Sequence, residues 1–344
     1  MKNNNGRYDK QFGRNSASLL IFEFCAKHKT SHYFICVLSS TQLKKLFSGF
    51  DNPCKKFLWE KIMDYILNIK DLNKDYKTFS LKNISFQIPQ GTVMGFIGAN
   101  GAGKTTTIKL IMQLIKKDSG LIEIFGQSAE KNFSSLKQKI GFVYDEPCFY
   151  EQLKIKDMTK IIASFYNFWD WKAYKNYLSQ FKLDETQKIM QLSKGMKTKY
   201  SLALALSHNA QFIIMDEPSS GLDPVIRREL LDIFYDVISD GKCSIFFSTH
   251  ITSDLERIAD YVTFIKNGEI VFSKRKDDVF SEYALVKGGL DELKGGIESK
   301  LIGIRKTGVG FEALTKEKQG LPASLIIEKP ALEDIMFFYE KASN

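Results

Sequence analysis

The sequence predicts an α/β fold: a parallel-sheet core with an antiparallel β subdomain, an inserted α-helical subdomain and a small C-terminal α+β appendage. Three observations lead there. A glycine-rich turn, Gly98 to Thr106, joins the apolar run Val93–Ile97 to the helically spaced segment Ile108–Met112. A second apolar run, Phe212–Met215, ends in the carboxylates Asp216 and Glu217. Elsewhere, short apolar runs of strand length alternate with stretches of helix length, as in sheets whose strands are joined by crossover helices.

Gly98, Ala99, Asn100, Gly101, Ala102, Gly103, Lys104, Thr105 and Thr106 fit the phosphate-loop pattern G-x-x-x-x-G-K-[ST], in the strand–turn–helix setting it requires. Glycines let the backbone wrap close to a polyphosphate and turn its N–H groups inward. The following helix adds the positive end of its dipole. Lys104 then reaches the outer phosphates as a point charge, and the Thr105 hydroxyl ligates Mg²⁺. A purely structural turn is the competing reading, and Lys-Thr in register argues against it. This is read as a nucleotide-binding loop.

The size, 344 residues, suits one large or two modest domains, and the hydrophobic (44%) and charged (26%) fractions are those of a globular protein. No apolar run approaches the roughly 18–20 residues of a membrane span. Leu19–Cys25 and Tyr33–Leu38 are too short, and neither has the layout of a secretory signal. Five cysteines without a C-x-x-C pair read as free thiols in a reducing cytosol. The net charge of +9 points to nucleic acid or anionic membrane only until it is located. Residues 1–62 hold 11 Lys/Arg against 4 Asp/Glu, and the remaining 282 residues carry 38 basic and 36 acidic side chains. The basicity belongs to the leader, so no nucleic-acid partner is expected.

Residues 1–62 are Asn-rich at the start and without clear period. One reading is a disordered or partner-binding arm. The other, preferred, is that translation normally begins at Met63. The codons of Trp59 and Glu60 place GGGA(A/G) upstream of it, which in a bacterial message resembles a ribosome-binding site.

From Tyr65 the pattern becomes orderly. Tyr65–Ile69 and Ile84–Ile88 alternate as half-buried strands do, and Val93–Ile97 is a buried strand after the turn Pro89-Gln90-Gly91. Leu121–Phe125 and Ile140–Tyr144 read as strands around a short helix near Phe133–Lys139. Residues 149–209 read as mostly helix. Strands resume at Phe212–Met215 and Ser244–Ser248, with a helix near Val225–Ile238 between them. Val262–Ile265 and Glu269–Phe272 flank Asn267-Gly268, a strong hairpin signal. The main domain is therefore expected over 63–275, with its helical subdomain at 149–209, and a small accessory domain over 276–344. In the tail, Leu301–Ile304 and Leu325–Ile327 are short apolar runs. The last helix is expected to open with Pro330 and to align Leu332, Ile335, Met336 and Tyr339 on one face, a core stripe rather than a site.

An acid at the end of a buried strand near a phosphate loop is where a Mg²⁺ ligand belongs, which assigns Asp216. Glu217, one residue on, is placed to accept a proton from water attacking a γ-phosphate. A surface Asp-Glu pair capping a strand is the bland alternative.

Here the sequence resembles the ATPase subunits of ABC transporters, over about 65–275. Leu192-Ser193-Lys194-Gly195-Met196 occupies the signature position, Ser193 standing 23 residues before Asp216. Ser220-Gly221-Leu222-Asp223-Pro224 follows the acidic pair as the D-loop does. His250, in Ser248-Thr249-His250, matches the switch histidine, and Tyr76 sits where the family stacks an aromatic on adenine. The likeness is nearest to drug, bacitracin-type or membrane-stress exporters, which often have a C-terminal extension and end in something like Leu332-Glu333-Asp334-Ile335-Met336. It implies a head-to-tail dimer, of two copies or with a related ATPase, that buries ATP and Mg²⁺ between phosphate loop and opposing signature. Ser193 and Gly195 would approach phosphate from the partner, Asp223 would communicate across the interface, and His250 would bond the γ-phosphate and hold the attacking water. It also implies integral-membrane permease subunits in a separate chain and a cytoplasmic, membrane-peripheral location.

Two positions depart from the family. Lys194 and Met196 replace Gly and Gln, and the lysine either adds attraction for phosphate or points to solvent. Asp145 replaces a Gln that links Mg²⁺ to the helical subdomain; it still offers oxygen but is shorter and charged, and Glu146 is an alternative ligand. Phe149, Tyr150 and Leu153 are candidates for the surface that grips a permease. The rival reading is a soluble regulatory ABC ATPase without transport. A ribosome-acting type would carry two cassettes, and a DNA-repair type a long coiled coil; this sequence has neither.

Overall fold

The computed structural model describes residues 19–23, 33–37, 65–145, 148–293 and 297–342. Met63 and Glu146, named above, lie outside them. The chain forms two compact units, Met1–Met63 and Asp64–Asn344. In the first, β1 (Leu19–Glu23) pairs antiparallel with β2 (Tyr33–Val37), Leu19 opposite Val37.

The second unit opens with β3 (Tyr65–Asp75) and β4 (Ser80–Pro89), followed by β5 (Val93–Ile97) and α1 (Lys104–Ile111). Then come β6 (Ser119–Ile124), β7 (Gln127–Ser128), α2 (Ala129–Lys137) and β8 (Ile140–Val143). The expected antiparallel subdomain is the sheet β4-β3-β6-β7. Helix α2 starts at Ala129, earlier than its apolar spacing suggests, and Asn132 (φ −130°) kinks it between two short helical pieces.

The region 149–209 holds α3 (Ile155–Ala163), α4 (Trp171–Gln180), a 3₁₀ turn (Ile189–Gln191) and α5 (Lys194–Ser207). Buried hydroxyls tie these helices together: Thr159 Oγ1 lies 2.8 Å from both Tyr174 Oη and Tyr200 Oη. Burial pushes the Tyr174 phenol up to about 12. At the end of α5, His208 stacks on Tyr166 with centroids 3.8 Å apart, its Nδ1 3.3 Å from the Gln138 carbonyl. Burial pushes its pKa down to about 4. An unfolded-state histidine, near 6.5, binds a proton that the folded one refuses, so stability falls as pH drops from about 6.5 towards 4. The expected loss is up to about 3 kcal/mol over that window. His208→Phe keeps a ring on Tyr166 without a titrating group. It should flatten that part of the urea-midpoint-versus-pH curve; an unchanged slope would place the acid sensitivity elsewhere.

Next come β9 (Phe212–Met215), α6 (Pro224–Ile238), β10 (Ser244–Thr249), α7 (Thr252–Ile258), β11 (Tyr261–Lys266) and β12 (Glu269–Arg275). They complete a sheet ordered β12-β11-β5-β10-β9-β8, parallel except at the β11–β12 hairpin. The hairpin turns at Asn267 and Gly268, both at positive φ (47° and 78°), as a tight two-residue loop demands. Every residue of β5, β9 and β10 is buried because both sheet faces are covered. Alternate residues serve opposite cores. Val93, Ile97, Ile213, Met215 and Phe247 face the helical side. Met94, Phe96, Ile214 and Phe246 face the antiparallel sheet. There Phe86, Phe96 and Phe246 pack as three tilted rings 5.5–5.7 Å apart.

The C-terminal segment contains α8 (Lys276–Glu282), β13 (Ala284–Gly288), α9 (Leu290–Leu293), β14 (Leu301–Lys306), β15 (Phe311–Thr315), β16 (Ile326–Glu328) and α10 (Leu332–Lys341). Its strands form the sheet β14-β15-β13-β16. Pro330 does not open α10. The helix begins at Leu332, where Asp334 accepts the Ala331 N–H at 2.8 Å and so sets the first turn. The expected stripe is present, with Leu332 and Ile335 buried and Met336 and Tyr339 packed against the same core. That core also holds Val279, Tyr283 and Phe264.

Candidate active site

Parallel strands end on one edge of their sheet, and the loops leaving that edge form the natural crevice. Ile97 pairs with Thr249, Phe247 with Met215, and Met215 with Val143. The register therefore delivers Gly98, His250, Asp216 and, two residues past β8, Asp145 to the same edge. A pocket of about 680 Å³ opens there. Its lining includes Asn100, Gly101, Gly103, Lys104, Thr105, Thr106, Asp145, Glu217 and His250, all expected from the sequence. Thr78, Phe79 and Ser220 line it as well. Ser220 had a signal, its place three residues after Glu217 at the start of Ser220-Gly221-Leu222-Asp223-Pro224; Thr78 and Phe79 had none.

The loop geometry requires glycine at its ends. Gly103 sits at φ +113° as the residue before α1, and a Cβ there would lie 2.5 Å from Leu81 Cδ2. At Gly98 a Cβ would lie 2.4 Å from the Ile265 carbonyl oxygen. Lys104 is 5% exposed. Its ammonium donates to the carbonyls of Gly98 (2.8 Å) and Ala99 (3.2 Å) and lies 3.2 Å from Glu217 Oε1.

The other carboxylate oxygen, Glu217 Oε2, is 2.8 Å from His250 Nδ1. Glu217 has φ +48°, a left-handed conformation costly for a residue with a side chain and often kept where geometry matters. Its amide donates to Ser248 Oγ (2.9 Å), and that hydroxyl donates to Asp216 Oδ1 (2.6 Å). One serine thus ties the two acids, a contact between distant strands that the local pattern does not reveal. Asp216 is buried, and burial raises its pKa; bonds from Ser248 and Thr105 oppose the rise, while the charges of Glu217 and Asp145 add to it. Thr105, Asp216 and Asp145 are hard oxygen donors beside crowded negative charge, a donor set that suits Mg²⁺. Among the described residues no group of three or more His, Cys, Asp or Glu side chains forms a metal site. Mg²⁺ commonly takes only one or two carboxylates and completes its shell with phosphate and water.

Tyr76 borders an adjoining pocket of about 410 Å³ that shares Thr78, Phe79 and Gly101 with the first. Its ring is half exposed, with the Lys74 ammonium 5.5 Å from the centroid. Ser193, Gly195 and Asp223 do not line either pocket. Ser193 caps α5 through the Met196 N–H, and Asp223 caps α6 through the N–H groups of Val225 and Ile226. Gly195 permits close approach of α6, since a Cβ there would lie 2.6 Å from Ile226 Cγ2. Of the trio beyond Asp145, Tyr150 is exposed, whereas Phe149 packs on Tyr200 (5.0 Å) and Leu153 against the core. Lys194 neither points to solvent nor stands free: its ammonium is 2.6 Å from Asp145 Oδ1. No helix among the described residues is long and apolar enough to cross a membrane.

Residues 81–220 match the ABC transporter family. A bacitracin transport ATP-binding protein of Bacillus licheniformis is 35% identical over 212 residues, covering 61% of this chain and 69% of the relative. A lantibiotic transport ATP-binding protein of Streptococcus pyogenes is 34% identical over 215 residues, covering 62% and 92%. The solved structure of an ATP-binding subunit of an ABC transporter superposes with a TM-score of 0.57 at 29% identity, covering 63% of this chain and 92% of that one. With phosphate loop, paired acids and histidine on one sheet edge, this chain belongs to the ABC transporter family as an ATP-binding subunit of the bacitracin-type exporter group.

Proposed function

We propose that this chain hydrolyses ATP as the motor subunit of a membrane exporter, dimerising on ATP and driving conformational change in separate permease subunits. The observation that carries the reading is Glu217, whose carboxylate bridges Lys104 and His250 in the pocket beside the phosphate loop. In this arrangement Lys104 is satisfied by loop carbonyls and by Glu217. An entering polyphosphate exchanges those contacts for its own oxygens, and Glu217 is released to take a proton from water while His250 orients it. Thr105, Asp216 and Asp145 would hold Mg²⁺, which would offset the charge of the phosphates. Tyr76 would stack on the base.

Ser193, Gly195 and Asp223 stand away from the pocket within one copy, so their proposed work is across the dimer, from the start of α5 towards the partner's nucleotide. The permease contact is assigned to the exposed Tyr150 and its surroundings, with the subunit on the cytoplasmic face of the membrane. The soluble regulatory alternative has no specific observation in its favour.

The test is affinity purification of the tagged chain from gently solubilised native membranes, with ATPase assay of the eluate. A polytopic membrane protein should co-purify and stimulate Mg²⁺-dependent turnover. Active protein accompanied only by soluble partners would replace the exporter reading with the regulatory one.

A further inference from the structure

Lysine at the first position of a helix is locally unfavourable, because its charge opposes the positive end of the dipole. Lys194 opens α5. Its ammonium is held 2.6 Å from Asp145 Oδ1, with both side chains partly exposed. It also lies 3.7 Å from where a Cβ on Gly221 would stand, in the segment that follows Glu217. One cation at the start of α5 is therefore paired with the stretch after β8 and lies close to the turn before α6. Asp145 itself faces the pocket beside Thr105 and Glu217, and its charge bears on Asp216.

We infer that Lys194 is a positioning residue that competes with the divalent cation for Asp145, so that loading Mg²⁺ in the pocket releases the start of the signature helix. The inference rests on the Mg²⁺–ATP reading of the pocket. Its logic is charge balance. Without nucleotide, Asp145 is a carboxylate near two other acids, and Lys194 neutralises it. When Mg²⁺ arrives with phosphates, Asp145 has a doubly charged partner at hand and the ammonium becomes surplus. Giving up that contact frees Lys194 and the helix it opens from the segment after β8. Metal occupancy in one subunit thereby changes the surface that the same subunit offers to its partner.

The test titrates Mg²⁺ against binding of N-methylanthraniloyl-ATP to the full chain, read by fluorescence, for wild type, Lys194→Met, Lys194→Arg, Asp145→Asn and the Met/Asn double variant. Removing the competing charge should lower the half-saturating Mg²⁺ concentration about two- to fivefold, the size expected of a partly exposed ion pair. The arginine variant should keep the wild-type value. In the Asp145→Asn background Lys194→Met should have no further effect, and raising salt should shrink the wild-type difference. An unmoved requirement in Lys194→Met, or the same shift with and without Asp145, overturns the inference while leaving the ATP site intact. Failure of wild type to bind the labelled nucleotide at any Mg²⁺ concentration overturns both.

Discussion

Glu217→Gln is expected to lower steady-state ATP turnover by roughly 10²–10⁴-fold, the contribution of a positioned general base. Glutamine preserves the shape and can still meet His250, but it cannot take a proton from water. It also removes the negative charge beside Lys104, at 3.2 Å in the native protein, so ATP affinity should hold or rise. The variant should accumulate as an ATP-bound dimer, visible by sedimentation. Near-normal turnover would remove Glu217 from the role and leave His250 as the group to examine.

The second large effect concerns stability. Asp254 is 1% exposed and accepts from Arg227 Nε (2.6 Å) and Ser219 Oγ (2.6 Å), while Arg227 Nη2 also reaches Ser253 Oγ (2.6 Å). The two partners are unequal, since Arg227 is a quarter exposed and Asp254 is sealed. Arg227→Met strands a buried carboxylate and should cost about 3–5 kcal/mol. Asp254→Asn leaves the guanidinium a path to water and keeps a partner for Ser219, so its cost should be about 1–3 kcal/mol. Urea denaturation of both variants gives the order directly. An Asp254→Asn protein less stable than Arg227→Met would mean that the network's worth lies in Arg227 being held, not in Asp254 being paired.

The phosphate loop, the acidic pair and the Asn267-Gly268 hairpin were readable because each is a short-range signal, whereas His250 was legible only through the family resemblance. Strand period, turn chemistry and motif spacing are all written within a few residues. What escaped was long-range. Ser248 is a small polar residue at the end of a buried strand, and only the β9–β10 register brings its hydroxyl between Asp216 and Glu217. The pairing of Lys194 with Asp145 spans 49 residues, and the sequence offered each as an isolated departure. Helix α7 (Thr252–Ile258) went unread because it is only seven residues long, too short to establish a period. The three-way placement of Phe149, Tyr150 and Leu153 likewise depends on how α5 lies, not on their own neighbourhood.

The C-terminal helix has a consequence for anyone redesigning the chain. Leu332, Ile335 and Phe338 share one core with Phe264, Phe272 and Val279, the Leu332 amide donates to Glu256 Oε1 at 2.8 Å, and Lys266 Nζ donates to the Tyr339 carbonyl. The tail is thus a clasp over the outer hairpin β11–β12, packed against it in one shared core. Trimming the chain after β12 would bare the side chains of Phe264 and Phe272 along that hairpin, and the shortened protein should aggregate on expression.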